Sequence, residues 1–118
     1  MNANHIFNLD PIAFAMINYD NKKRHHFTLI DLAVMESVML NTYTTDVALA
    51  RMALCSLSTV KRSINKLCEF GLISKHISED NTKTIALNKD MVELFINTYF
   101  YAEPYHTEYL QIAGACHV

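Results

Sequence analysis

The sequence predicts a mainly α-helical fold with one small β-hairpin, and three observations support this prediction. Apolar residues recur at helical spacing along most of the chain, whereas residues between about 72 and 87 alternate as strands do. The chain of 118 residues contains only two Gly and two Pro, and 51% of its residues are hydrophobic. This composition is typical of a compact domain rather than of a disordered segment. We therefore expect a single domain, residues 1–118.

A short helix is predicted near the N-terminus. Asp10 can cap this helix, and Pro11 suits its first position. The apolar side would consist of Ile12, Phe14, Ala15, Met16 and Ile17. We expect the helix to end near residues 19–21 and the basic residues 22–26 to form a loop.

The next helix is predicted over about residues 29–41. Thr28 and Asp31 have the spacing of a capping box, with Asp in place of the usual Glu. Residues 41–44 are typical of a turn. We count the helix at 29–41 as the first helix of the core. The second helix of the core follows this turn, and Thr44 or Thr45 can cap it.

A third helix is predicted over about residues 57–70. Ser56 can cap its N-terminus, and Gly71 is a typical C-terminal residue. Its apolar face is formed at positions i, i+4 and i+7 by Val60, Ile64 and Leu67. The face of this helix that points away from the core would then carry its polar side chains.

Two short strands are predicted after Gly71, over residues 72–77 and 83–87. Residues 79–82 form the polar turn between them, so the two strands make a β-hairpin. Asn88 can cap one more strong helix, whose apolar face is wider than a small domain needs. The tail from residue 102 onward can form another short helix. The core would be residues 27–88, followed by a C-terminal helix and tail, 89–118.

The order helix, helix, helix, hairpin is the winged helix-turn-helix topology. The run from Thr45 to Ile73 resembles the winged helix-turn-helix of bacterial, phage and plasmid DNA-binding proteins without a gap. The matching features are Leu49-Ala50, Ser56, Ser58-Thr59-Val60, Arg62, Ile64, Leu67 and Gly71-Leu72-Ile73. The resemblance implies a sequence-specific double-stranded DNA-binding protein, a transcriptional regulator, with the third helix in the major groove.

The predicted DNA-binding residues lie on the third helix and the hairpin. They are hydroxyl, cationic and amide side chains, which are the types that contact phosphates and base edges. The full set is Ser56, Ser58, Thr59, Lys61, Arg62, Asn65, Lys66, Lys75 and Lys83. The basic residues 22–26 are a secondary candidate for a phosphate contact.

Two features depart from the family pattern. Leu54 occupies the turn position that is usually Gly, so a side chain must fit into the turn. The tip of the hairpin carries Glu79 and Asp80, which would repel phosphate. We therefore expect the third helix to make most of the DNA contacts and the hairpin to support it.

The charge distribution and the wide apolar face of the C-terminal helix indicate which partners to expect, namely DNA and a second copy of the chain. The formal net charge is −2, but residues 22–76 hold eight Lys/Arg against four Asp/Glu. A localised cationic face is therefore compatible with overall acidity, which favours a specific site over a general DNA coat. Because such regulators bind two-fold half-sites, we expect a homodimer formed by the C-terminal helix, with the N-terminal helix as a further candidate.

Other functions are disfavoured. There is no Gly-rich phosphate loop or nucleophile motif, so an enzyme is not expected. The histidines and cysteines lack the spacing of a zinc motif, so no metal or other cofactor is expected. The odd number of cysteines predicts reduced core thiols and a cytoplasmic protein, and no apolar run suggests a membrane span. Two alternatives stay open: a plasmid or phage replication or segregation protein, and a winged helix used only for protein interaction.

Overall fold

The computed structural model describes residues 11–41 and 43–115. In chain order, the elements of this part are helix α1 Pro11–Lys23, α2 Leu29–Leu40, strand β1 Tyr43–Thr44, α3 Asp46–Ala53, α4 Leu57–Phe70, β2 Ile73–Ile77, β3 Lys83–Leu87, α5 Lys89–Ile96, a π-helical segment Asn97–Tyr101 and α6 Tyr105–Ala115. The mainly α-helical fold with a β-hairpin is confirmed, and it is a winged helix. The chain forms two compact units. We call residues 27–92 the winged-helix core and the described residues 11–26 and 93–115 the terminal unit.

Side chains cap the start of each helix in the first half of the core. Thr28 Oγ1 accepts a hydrogen bond of 3.1 Å from the amide of Asp31, and Asp31 Oδ2 accepts one of 2.8 Å from the amide of Thr28. Thr45 caps α3 by accepting from the amide of Ala48 at 3.2 Å. Ser56 caps α4. The predicted capping residues are therefore confirmed, because each satisfies an amide that the helix leaves unpaired.

Helices α3 and α4 both end on a residue in the left-handed conformation. Gly71 ends α4 with φ of +90°, which glycine adopts without steric strain. Leu54 ends α3 with φ of +54° and ψ of +45°, where a Cβ atom is unfavourable. The turn therefore includes the leucine side chain, as the sequence requires, and Leu54 adopts a strained backbone conformation there.

The centre of the core lies between α2, α3 and α4. The three predicted apolar positions of α4, Val60, Ile64 and Leu67, are all buried. They lie in the same core as aliphatic side chains from the other two helices, namely Val34, Met35, Val38 and Leu49. Burial of this face fixes which side of α4 points to solvent.

The hairpin belongs to a three-stranded antiparallel sheet of order β1-β3-β2. Strands β2 and β3 confirm the predicted hairpin, with Ile73 opposite Leu87. The prediction that residues 41–44 form a turn is wrong for Tyr43 and Thr44, because these residues pair with β3. That pairing joins segments about 40 residues apart, so local sequence does not reveal it.

The terminal unit combines α1, the π-helical segment and α6. Helix α1 extends to Lys23, so the predicted loop is wrong for Lys22 and Lys23. Their positive charges suit the last turn, where the helix carries a partial negative charge. Ile12, Ala15 and Met16 are buried as predicted, whereas Ile17 is exposed. The predicted cap Asp10 lies outside the described residues.

The predicted C-terminal helix is interrupted. Asn88 caps α5, its side-chain oxygen accepting from the amide of Met91 at 3.4 Å. After Ile96 the helix widens, and the amide of Ala102 donates to the carbonyl of Asn97 at 3.0 Å. The predicted short helix in the tail is present as α6. No helix in the described ranges is both long enough and apolar enough to span a membrane.

Candidate nucleic-acid interface

The N-terminus of α4 presents a cluster of hydroxyl groups. Ser56 Oγ accepts a hydrogen bond of 3.3 Å from the amide of Thr59 and lies 2.8 Å from the Thr59 hydroxyl. The Ser58 hydroxyl lies 3.2 Å from Ser56 Oγ. Ser56 and Ser58 are exposed, and Thr59 is half-buried. These hydroxyls surround the positive end of the α4 dipole, an arrangement that suits contact with an anion.

Two cations follow on the exposed face of α4. Lys61 and Arg62 are exposed, and neither has an ion-pair partner in the part of the chain that the structure describes. Asn65 lies one turn further along and is also exposed. The buried face fixes the orientation of these side chains, so they project to solvent on the opposite side of the helix.

A groove of about 370 Å³ separates α4 from the hairpin. Its polar rim is formed by Lys61, Asn65, Lys75, Lys83 and Asp46. Isoleucines from α4 and both strands form its apolar part, which consists of Ile64, Ile77 and Ile85. The ammonium of Lys75 donates a hydrogen bond to the side-chain oxygen of Asn65. Three ammonium groups and one carboxylate give this groove, which we call the basic groove, an excess of positive charge.

Lys66 points away from this surface and towards a buried carboxylate. Asp31 is only 2% exposed, and Lys66 Nζ lies 2.8 Å from its Oδ2. Ser63 Oγ donates to Asp31 Oδ1 at 2.5 Å, and the amide of Thr28 also donates to the carboxylate. The ammonium of Lys66 is therefore already paired with a buried carboxylate. Among the described residues, Lys61, Lys75 and Lys83 have no ion-pair partner, and Lys75 is bonded to the neutral amide of Asn65.

The pKa of Asp31 reflects this set of partners. Burial by itself raises the pKa of a carboxyl group, because it disfavours the charged form. Hydrogen bonds from Lys66, Ser63 and Thr28 outweigh burial, and with the positive charge of Lys66 they hold the pKa of Asp31 below its usual value. Asp31 is therefore a charged link between α2 and α4 at neutral pH.

The tip of the hairpin is a closed turn. The Asp80 carboxylate accepts hydrogen bonds from the Ser78 hydroxyl and from the amide of Thr82. These bonds lower the pKa of Asp80 to about 2, so it stays negative. Asn81 completes the turn with φ of +64°. The acidic tip has a local structural role. Lys83 lies directly beside this turn, opposite Ile77, and Lys75 lies in the middle of β2, opposite Ile85.

The predicted site residues thus divide into two sets. Seven are exposed on α4 or the hairpin: Ser56, Ser58, Lys61, Arg62, Asn65, Lys75 and Lys83. Thr59 is half-buried, and Lys66 is paired with Asp31. The basic residues 22–26 belong to the terminal unit, where His25 Nδ1 lies 3.0 Å from a carboxylate oxygen of Asp20.

Sequence reasoning missed the roles of Asp31 and Ser63 in this region. The sequence indicates only a capping role for Asp31 and no role for Ser63. A sequence signal was available, because Ser63 lies beside Ile64 on the buried side of an amphipathic helix. A hydroxyl in that position needs a buried partner.

The cysteines contribute little to this surface. Cys55 and Cys68 are free thiols and are half-buried, less deeply than the predicted core thiols would be. Burial raises the pKa of the Cys68 thiol. Cys116 lies outside the described residues. Within those residues, no group of three or more His, Cys, Asp or Glu side chains is arranged as metal ligands would be.

Comparisons with known proteins identify the fold. The sequence matches no protein-family model and no curated protein. Among solved structures, Bordetella bronchiseptica BpsR is similar with a TM-score of 0.56 and 14% identity, over 93% of this chain and 78% of that one. The regulator BldR of Sulfolobus solfataricus is similar with a TM-score of 0.53 and 12% identity, over 95% of this chain and 89% of that one.

A MarR family transcriptional regulator from Silicibacter pomeroyi is similar as well. Its TM-score is 0.52 and its identity is 15%, over 91% of this chain and 77% of that one. Identities this low establish a shared architecture and leave the contacts to be argued from this chain's own residues. The protein therefore has the winged-helix fold found in MarR family regulators.

Proposed function

We propose that this protein is a sequence-specific double-stranded DNA-binding protein that regulates transcription in the cytoplasm. Helix α4 would lie in the major groove, with its N-terminal turns against the bases. The observation that carries the proposal is the continuity of the exposed face of α4 with the basic groove. Together they form one polar, cationic surface on a protein of net charge −2.

The side chains on this surface differ in what they can contact. The guanidinium of Arg62 has paired donors that suit the two acceptors of guanine in the major groove, and the amide of Asn65 has the donor and acceptor that suit adenine. Lys61, Lys75 and Lys83 are point charges around a concave surface, which suits backbone phosphates. Ser58 and Thr59 supply hydroxyl groups at the helix N-terminus. Lys66 would act indirectly, by holding α4 against Asp31.

The structural neighbours support the same function. BldR and the Silicibacter pomeroyi protein are described as transcriptional regulators. The BpsR structure is described as explaining how 6-hydroxynicotinic acid regulates DNA binding. These are properties of those proteins, and the shared fold makes DNA binding the first function to test for this chain.

We further propose that the protein is a homodimer formed through the terminal unit. Large apolar side chains of α5, the π-helical segment and α6 are exposed in the isolated chain: Leu94, Tyr101, Leu110 and Ile112. A two-fold dimer would bury such side chains and present two copies of α4 to a palindromic site. Sedimentation velocity should show a dimer, and Leu110→Lys should shift the equilibrium towards monomer. A monomer at all concentrations would refute the dimer.

DNA binding can be tested by selecting duplexes from a random pool and measuring the affinity for the selected site. Arg62→Ala combined with Asn65→Ala should weaken binding by about 30-fold or more, since each of the two specific base contacts contributes about 1–3 kcal/mol. Lys89→Ala is a control, because Lys89 is an exposed cation that lies on α5 rather than on α4. Unchanged binding by the double variant would show that α4 does not contact the bases.

Salt dependence separates the remaining alternatives. Replacing any one of Lys61, Lys75 and Lys83 should make the slope of log affinity against log salt shallower by about 1, because each neutralised phosphate releases counterions.

The acidic net charge favours the rival hypothesis, a winged helix that binds only proteins. Absence of duplex binding even at low salt would support this rival. A selected site that maps to a replication origin or segregation locus would favour the plasmid or phage role.

A further inference from the structure

A second groove lies at the turn of the helix-turn-helix, and it is mainly apolar. Its volume is about 660 Å³, and its lining includes Val47, Ala50, Arg51, Leu54, Ser56 and Leu57. Three of its aliphatic side chains are exposed: Val47 by 46%, Leu54 by 91% and Leu57 by 39%. We call this surface the turn groove. It adjoins the hydroxyl cluster at the N-terminus of α4.

The local structure does not explain why leucine occupies these positions. Leu54 is in the left-handed conformation, which Gly adopts more easily, and its side chain is almost fully exposed. Leu57 is the first residue of α4, where acidic side chains would interact better with the helix dipole. Two leucines that contribute little to their own helices point to a ligand that needs an apolar surface.

The position of Leu57 restricts the kind of ligand. Leu57 lies between Ser56, which caps α4, and Ser58, which belongs to the predicted DNA-binding set. If the first turn of α4 enters the major groove, as the proposed function requires, Leu57 enters with it. The apolar group that base pairs present in the major groove is the C5-methyl group of thymine. Arg51, on the rim of the turn groove, is exposed and carries a charge that suits the adjoining phosphate.

We infer that the turn groove receives a thymine methyl group, so that Leu57, with Leu54 beside it, makes the protein select thymine at one position of each half-site. This inference rests on the proposed function. It adds a specificity-determining apolar contact to the polar contacts of Arg62 and Asn65. The recognised site should therefore contain a thymine whose methyl group contributes to affinity.

Deoxyuridine substitution tests the inference on the unmodified protein. Each thymine of a duplex selected from a random pool is replaced in turn by deoxyuridine, which removes only the methyl group and leaves base pairing intact. At one thymine per half-site, affinity should fall by about 3- to 10-fold, as expected for a buried methyl group. If no deoxyuridine substitution weakens binding to a site that the protein does bind, the inference is wrong while the proposed function stands.

Variants identify the side chain that is responsible. Leu57→Ala should bind the thymine and deoxyuridine duplexes equally, at about the affinity that the unmodified chain has for deoxyuridine. Leu54→Ala should reduce the discrimination by a smaller factor, and its exposed side chain can be removed with little effect on folding. Leu40→Ala is the control, because Leu40 is an exposed helical leucine outside the turn groove. Full discrimination by both groove variants would overturn the assignment to this groove.

A protein partner is the other occupant that such a groove could have. In that case duplex binding would be insensitive to both the methyl group and the Leu57 variant, which contradicts the inference. Failure of the protein to bind any duplex would instead refute the proposed function itself. The two failures are therefore distinguishable in one set of binding curves.

Discussion

The winged-helix core and the terminal unit are stabilised by different kinds of contact. Core helices begin at polar capping side chains and bury aliphatic residues. In the terminal unit, by contrast, aromatic rings from three segments pack together. Phe100 lies 4.6 Å from Tyr109 and 6.1 Å from Phe14, measured between ring centroids. The core therefore depends largely on helix caps and aliphatic packing, and the terminal unit on large rings that are distant in sequence.

This difference has a consequence for polar groups. In the core, the carboxylate of Asp31 links two helices and is satisfied by three donors. In the terminal unit, the side chain of Asn18 donates to the carbonyl of Tyr99 at 2.8 Å, within the π-helical segment. Both contacts satisfy buried or half-buried polar atoms, but only the first is ionic. We expect pH to affect the stability of the core through Asp31.

Loss of a central ring should have the largest effect. Phe100 is buried, so Phe100→Ala should lower the free energy of unfolding by about 3–5 kcal/mol. Asn97→Ala is the control from the same π-helical segment; its side chain is exposed and does not belong to the proposed dimer surface, so the change should be about 1 kcal/mol or less. Urea unfolding measures both. Equal effects of the two substitutions would show that the terminal unit does not depend on its buried ring.

Loss of the charge on Asp31 should have the next largest effect. Asp31→Asn keeps the shape of the side chain but removes charged hydrogen bonds, which should lower the free energy of unfolding by about 1–3 kcal/mol at pH 7. The pKa of Asp31 is lower in the folded protein than its ordinary value of 3.8. Its contribution is therefore complete above that value and is lost as the pH falls through the folded pKa.

Unfolding measurements at several pH values test this directly. The difference in the free energy of unfolding between the unmodified protein and Asp31→Asn should be constant near neutral pH and should shrink at pH below about 4. Glu69→Gln is a control, because Glu69 is an exposed carboxylate on α4 and its loss should change stability by less than about 0.5 kcal/mol. A difference that does not depend on pH would show that the charge of Asp31 has no role in the core.

Relief of strain at Leu54 should have the smallest effect, and it should be stabilising. Leu54→Gly removes the Cβ atom from a left-handed residue, which should raise the free energy of unfolding by about 0.5–1 kcal/mol after the greater flexibility of glycine in the unfolded chain is included. Leu54→Ala keeps the Cβ atom and should leave stability nearly unchanged. Thermal unfolding distinguishes the two. Destabilisation by Leu54→Gly would show that the flexibility of glycine in the unfolded chain outweighs the relief of strain.

The elements that could be predicted from the sequence are those with local signals. Thr28, Ser56 and Gly71 were identified by their types and spacing, because a helix end needs a cap or a left-handed residue within a few positions. The buried face of α4 was predicted from its period. The strand formed by Tyr43 and Thr44 could not be predicted, because its hydrogen bonds are made to β3.

The candidate site shows the same limit. The residue types of the DNA-binding set were visible in the sequence, and so was the face of α4 that they occupy. The pairing of Lys66 with Asp31, 35 residues away, was not visible, since it depends on how α2 packs against α4. The apolar turn groove depends similarly on the angle between α3 and α4. Sequence patterns indicate which side chains could contact DNA, whereas packing decides which of them are already bonded within the protein.

By itself, the sequence determined the order of the elements, the caps of the helices and the outward face of α4, since these follow from backbone hydrogen bonding and amphipathic spacing within one element. Only the tertiary structure decided that Lys66 pairs inside the core, that three lysines surround one groove and that Leu54 and Leu57 line another. Those outcomes depend on contacts between elements, and the energies of such contacts are set by geometry that no single segment contains.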